Sequence, residues 1–269
     1  MTELLSYGFL QRALLAGIFV SIACALLGVF IILRRDSMIG HGLAHVTFAG
    51  VAIGLFLDLM PVAVALVLAV ITSLVIMWLK QKAGLYGDTA IAIFSSSGFA
   101  LGILLVTLSQ RFNVDLFGYL FGEILAIETS EVWFSVVLAA LVILVVGLNY
   151  QRFMFLTFDR ETAKASGIKV GRLDALLTVL TAVTVVLGMK VVGILLVSAL
   201  LVIPSAAGLQ LSTSFKHAIV ISSFVAFSSV VIGLFASFLI DLPASGTIVL
   251  LSFFFFCLFF LIRRARRLY

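Results

Sequence analysis

RRDSMIGHGLAHVTFAGVAIGL, residues 34–55, passes within a few positions from two arginines and an aspartate into an apolar run whose only ionisable side chains are His41 and His45. Paired arginines leading into such a run mark the cytoplasmic edge of a membrane span. A spacing of four puts both imidazoles on one helical face, close enough to hold a single cation. Ionisable groups facing hydrocarbon are costly, so each is a candidate for function. A histidine at a helix start can instead cap or snorkel, which suits His41 at the edge better than His45 one turn deeper.

Working outward, the rest of the chain is of the same kind. Of 269 residues, 64% are hydrophobic and 11% charged, which leaves no stretch for a separate soluble domain, so residues 1–269 read as one transmembrane domain. The composition predicts an all-α, polytopic helical bundle. Cys24 and Cys257 lie in apolar runs as small buried hydrophobes and say nothing of redox compartment. Residues 1–12, MTELLSYGFLQR, carry acid before base and no cationic leader, so the first apolar segment is expected to stay in the mature protein.

A membrane-crossing helix needs about 20 apolar residues. That length predicts spans at 13–33, 41–59, 61–79, 89–109, 131–149, 173–188, 191–209, 218–240 and 245–262. The sixth and seventh are short and separated by Met189 and Lys190, which leaves eight or nine helices. Charge tests the count. With the N-terminus outside and nine crossings, 14 of the 17 basic residues fall on the cytoplasmic side with the C-terminus, leaving Arg12, Arg111 and Lys190 outside. The net charge of +5 then reflects orientation and contact with anionic membrane lipid, and no nucleic-acid partner is needed to explain it. The terminal RRARRLY reads as a stop-transfer anchor.

Several shorter features carry expectations. Between the fourth and fifth spans, Asp115, Glu123, Glu128 and Glu131 gather in a stretch too aromatic for a free loop, suited to a re-entrant or interfacial helix. Glu128 and Glu131 read as solvated loop carboxylates, and Asp115 and Glu123 are ambiguous among apolar neighbours. In LTFDRETAKASGIKVG, residues 156–171, Asp159 is an N-cap, Arg160 and Glu161 open a helix, Ala163, Lys164 and Ala165 close it, and Gly167 stops it. Two turns are marginal alone, so this helix must lie on the bundle, the lipid surface or a cytoplasmic partner. Gly50 with Gly54, and Gly98 with Gly102, have the spacing of close helix packing, and Pro204 should break or bend its helix. His217, beside Lys216, reads as solvated.

Missing chemistry narrows the choice. No G-x-x-x-x-G-K-[ST] loop and no H-E-x-x-H occurs, so the chain is neither an ATPase of that type nor a zinc protease. Pro243-Ala244-Ser245-Gly246 is a poor match to an intramembrane serine protease, with proline where glycine is wanted and the serine on the side opposite the histidines.

The stretch 34–55 resembles the second-helix region of metal-importing permeases of ABC transporters, the family that moves zinc, manganese or iron. There two arginines or Arg-Gly lead into S-x-x-G-D-x-x-S-H-x-x-L-P-G. DTAIAIFSSSGFALGI, VDLFGYLFGEILAI, LTFDRETAKASGIKV and MKVVGILLVSALLVIPSAAG agree in order, so the likeness spans nearly the whole chain. It implies that His45 is the metal-binding histidine and that His41 stands where the family usually has aspartate, with Phe48-Ala49 in place of Leu-Pro. Imidazole suits zinc, whereas carboxylate suits harder ions such as manganese. The resemblance further implies a transport subunit of the bacterial cytoplasmic membrane, not itself an enzyme. It implies a homodimer, a separate cytoplasmic ATP-binding subunit docked on residues 159–167, and an extracellular metal-binding protein. The cargo is a divalent metal, Zn2+ by the histidine argument, with no permanently bound cofactor. Two imidazoles do not fill a zinc shell, and Asp88 and Ser95 are candidate helpers. From the residues alone, an ion-coupled secondary transporter or a membrane sensor stays open.

Overall fold

The computed structural model describes residues 8–82, 87–109, 122 and 127–266. Among these residues every regular element is a helix: α1 Gly8–Leu33, α2 Ile39–Phe56, α3 Pro61–Lys82, α4 Gly87–Ser109, α5 Thr129–Leu148, α6 Tyr150–Phe158, α7 Arg160–Ala165, α8 Val170–Val192, α9 Ile194–Leu211, α10 Phe215–Ile240 and α11 Ala244–Arg266. All but α6 and α7 are long and apolar enough to cross a membrane, which gives nine candidate spans among the described residues. Each begins and ends within a few residues of its predicted segment. With no water in hydrocarbon, each backbone N–H must bond within its own helix, so long apolar runs become helices whatever their individual propensities.

Residues 173–188 and 191–209 resolve into two full helices, α8 and α9, and eight spans is therefore the lower, unmet count. The chain reverses at Gly193, whose φ of 86° is a conformation open to glycine but costly to other residues. Gly188 faces Val197 across that reversal, and Gly122 lies against Val192 and Gly193.

The helices form an inner and an outer set. In α1, α2 and α8 between 61% and 72% of the span is buried, against 17% in α4 and α11, which can therefore present their flanks to lipid or to another subunit. α2 packs between α3 and α4, and α1 is surrounded by α5, α8, α9 and α10. In lipid, apolar side chains gain little by leaving one hydrocarbon environment for another, so close backbone approach at small residues does much of the packing. A Cβ added to Gly28 would stand 1.8 Å from the Leu201 carbonyl oxygen, and Ser205 Oγ donates to the Ala25 carbonyl at 3.0 Å. The two predicted glycine pairs serve the same end, Gly50 and Gly54 against Ala65 and Pro61 of α3, and Gly98 and Gly102 against α2.

Of the break or bend expected at Pro204, no break occurs. α9 runs unbroken through it from Ile194 to Leu211. Proline removes one intrahelical bond, but Leu200, Leu201 and Pro204 are all buried, and packing on α1, α10 and α11 holds the helix across the gap.

The ends of the bundle separate by charge. Arg34 at the end of α1, Lys80 in α3, Arg160 in α7 and Asp174 in α8 meet at one end, and Arg263 of α11 donates to Gln210 of α9 at 2.8 Å. Lys190, near the end of α8, pairs with Glu131 of α5 at 2.9 Å. Glu131 thus departs from its reading as a solvated loop carboxylate. It lies in the first turn of α5, its side chain is 12% exposed, and it also accepts the Glu128 N–H at 3.2 Å. Asp115 and Glu123, with the interfacial segment expected around them, lie outside the described residues.

Candidate functional site

The turn before α2 sets where the histidines stand. α1 closes with Arg35 in the left-handed region at φ 59°, the Asp36 N–H bonding the Ile31 carbonyl and the Arg35 N–H that of Ile32. That pattern ends helices where glycine is preferred, and a side-chain-bearing residue there costs about 1–2 kcal/mol. α2 then starts at Ile39, with His41 in its first turn and His45 one turn on. His41 is exposed and His45 half-buried.

The two rings meet edge to face, centroids 4.6 Å apart at 89°, with Nε2 to Nε2 at 3.2 Å. At zinc–nitrogen bonds near 2.0–2.1 Å and a tetrahedral angle, two nitrogens sharing one ion stand about 3.3 Å apart. The pair is therefore already at the separation one shared cation would impose, and in its absence one Nε2–H can donate to the other ring. Right-angled coordination with slightly longer bonds gives a similar spacing, so the distance alone does not choose the metal.

α4 forms the wall behind the pair. Phe99 sits 5.0 Å from the His45 ring at 72°, and 5.7 Å from Phe48. Gly98 permits this, because a Cβ there would come within 3.1 Å of the His45 carbonyl oxygen. Among the described residues, no group of three or more His, Cys, Asp and Glu side chains converges, so Asp88 is not drawn to the pair. Nor does Ser95 bond to either ring among those residues. Among the described residues, a cation held here would have two protein nitrogens, with His41 on the exposed side.

The capped helix predicted at 159–167 is present as α7. Asp159 accepts the Thr162 N–H at 2.9 Å and its hydroxyl at 2.6 Å. These bonds hold the Asp159 carboxyl below its ordinary range, the hydroxyl contributing most. At the other end Gly167 has φ 81°, with the Ile168 N–H on the Ala163 carbonyl at 3.1 Å and the Gly167 N–H on that of Lys164 at 3.1 Å. Ala163 is fully buried, while Glu161, Lys164 and Ala165 are exposed. Having both ends closed by its own side chains and backbone, α7 keeps its shape on the surface despite having six residues.

Two features were not expected from sequence. α6 lays Phe153 and Leu156 on the bundle, with Phe153 5.7 Å from Phe30 and Tyr150 5.6 Å from Phe215. The i, i+3 apolar pair was the available signal, though one turn is too short to stand out. The other is Asp174, inside a predicted span yet bonded to residues far away in sequence. His217 is as expected, exposed, its Nδ1 3.2 Å from the Thr213 hydroxyl.

Comparison with known proteins places this geometry. The model of a family described as the ABC 3 transport family matches residues 6–263. The manganese transport system membrane protein MntC of Listeria innocua is 34% identical over 258 residues, covering 96% of this chain and 92% of that protein. The high-affinity zinc uptake system membrane protein ZnuB of Haemophilus influenzae is 32% identical over 252 residues, covering 94% and 97%. Among solved structures, PsaBC from Streptococcus pneumoniae in complex with Fab matches with a TM-score of 0.86 at 34% identity, covering 96% of this chain and 93% of that one.

Proposed function

The chain belongs to the ABC 3 transport family, and from that premise we propose that it passes zinc from an extracellular binding protein to the cytoplasm, driven by ATP hydrolysis in a separate subunit. It is a multi-pass cell-membrane protein and the permease component of a metal importer, so its role is conduction and not catalysis. The observation that carries the reading is the His41 and His45 pair, two imidazole nitrogens 3.2 Å apart on a helix beginning at the basic end. Imidazole nitrogen favours zinc over the harder manganese ion. Manganese is the second reading, and the relative named MntC favours it.

In this reading the basic end faces the cytoplasm, as the positive-inside rule requires. α7, with Asp159, Arg160, Glu161, Ala163, Lys164, Ala165 and Gly167, docks on the ATP-binding subunit, and two copies of the chain form the conducting unit. A site of two imidazoles and exchangeable donors suits cargo that must leave as readily as it arrives.

The test is radiometal uptake by vesicles holding the assembled transporter. His45→Ala should abolish zinc uptake while the ATP-binding subunit still co-purifies. Zinc uptake at the unsubstituted rate would place the ion elsewhere. Zinc flux through this chain alone in liposomes, with no ATPase, would instead support a secondary transporter.

A further inference from the structure

At the basic end one carboxylate gathers four elements. Asp174, in the first turns of α8, is 1% exposed. It accepts Arg34 from the α1–α2 turn on one oxygen, and on the other Arg160 at 2.6 Å from the first position of α7 and Gln81 at 3.4 Å from the end of α3. Lys80 of α3 pairs with Asp36 on the far side of the same turn. The turn therefore has an ion pair on each flank of Arg35, the residue held at φ 59°. Three residues after Asp36 α2 begins, and His41 follows in its first turn.

These links border a solvent-open cavity of about 840 Å³ between α7, the end of α3 and the start of α8. Arg34 and Asp36 of the turn that launches α2 and Arg160, Glu161 and Lys164 of α7 all line that space. Arg160 of α7 and Arg34 of the turn are joined through Asp174, which pairs with both. Arg160 is half-exposed and comes from α7, whereas Asp174 and Arg34 are 2% and 13% exposed as side chains and cannot move apart without stranding charge in a low-dielectric setting. A displacement of α7 that carries Arg160 must therefore either break a buried charge contact or take Asp174 and Arg34 with it.

We propose that Asp174 is a positioning residue that transmits movement of α7, through Arg34, to the turn that sets the start of α2 and thus the spacing of His41 and His45. This rests on the reading of α7 as the docking segment for the ATP-binding subunit. Arg35, which follows Arg34 in that turn, stands at φ 59°, a conformation costly to a residue with a side chain.

The experiment uses the complete transporter in lipid nanodiscs and reads ATP hydrolysis with and without metal-loaded binding protein. The informative variant is Arg34→Gln with Asp174→Asn, because removing both partners avoids leaving one buried charge alone. The proposal expects the ATP-binding subunit to stay bound and the stimulation ratio to fall by at least about fivefold, the lower range of measured site-to-site couplings. A ratio within about twofold of the parent overturns it. So does loss of the ATP-binding subunit, which would make Asp174 a support of the docking surface. Should the double variant fail to fold and insert in the membrane, Asp174→Glu keeps the charge and displaces it by one methylene; a lowered ratio supports the relay and an unchanged one overturns it. Ala165→Pro, which disrupts α7, is measured beside them. If it too leaves stimulation intact, the docking reading has failed; if it alone abolishes stimulation, only the relay has.

Discussion

On the histidine face of α2, two imidazoles meet at 3.2 Å with one ring exposed and no third acid, thiol or imidazole among the described residues beside them. At the basic end, three donors from separate elements grip a carboxylate that is 1% exposed. The first region is held by one helix and a wall of Phe99, the second by contacts that would each have to fail before it changed shape. If the histidine pair is where cargo stops, as proposed, a site of few ligands suits its release. If the basic end relays motion of α7, as proposed, redundant contacts there suit the transmission of force. Buried charge alone does not argue stability, since an apolar replacement is often as good. Its value here is that it cannot be broken cheaply from one side.

The largest effect that tests this contrast is on folding. Asp174→Ala leaves the Arg34 and Arg160 charges without their counter-ion and should cost about 3–5 kcal/mol, of which Arg34→Gln in addition recovers most. His45→Ala, in a half-buried position touching Phe99, should cost less than about 1 kcal/mol while removing transport. Thermal unfolding of both in the same detergent checks the pair. Equal losses would erase the distinction between a region that holds the fold and one proposed to hold the ion.

These two regions also differ in how far sequence alone reveals them. The histidine pair needed only an i, i+4 spacing in an apolar run, and the nine spans only their length, because both follow from local periodicity and the thickness of hydrocarbon. α7 was legible for the same reason: Asp159, Lys164 and Gly167 act within a few residues of one another. Asp174 was not, since its partner Arg34 lies 140 positions earlier and no local pattern says that the two helix ends meet. The break expected at Pro204 does not occur because its local effect, a missing N–H, is outweighed by packing on both sides of α9. Glu131 was hidden likewise, its partner Lys190 belonging to a distant helix.

A smaller effect sharpens the sparse side of the contrast. His41→Asp exchanges one nitrogen donor for carboxylate oxygen at an exposed position, where the fold has little at stake. The ratio of zinc to manganese uptake should fall on the order of tenfold, as a harder donor favours the harder ion. Competition uptake with both metals measures it. An unchanged ratio with transport retained would mean that other donors set selectivity and would leave manganese as the better reading of the cargo.

The smallest effect concerns the end of α7 that meets solvent. The Asp159 carboxyl is held below its ordinary value of 3.8, first by the Thr162 hydroxyl and then by the Thr162 N–H, so the folded helix binds a proton there less readily than the unfolded chain does. The sign follows from that: the cap is at full strength above the ordinary carboxylate range and is lost as pH falls through the depressed value. Amide protection at Thr162, corrected for the intrinsic pH dependence of exchange, should therefore drop in acid, while Asp159→Asn should make it insensitive to pH there because an amide oxygen still caps but does not titrate. The Ile168 amide, held by the Ala163 carbonyl at the opposite end, should change less. Equal loss at both ends would mean that α7 melts as one unit from its contact with the bundle, so that its shape is borrowed from the packing of Ala163 and its caps add nothing of their own.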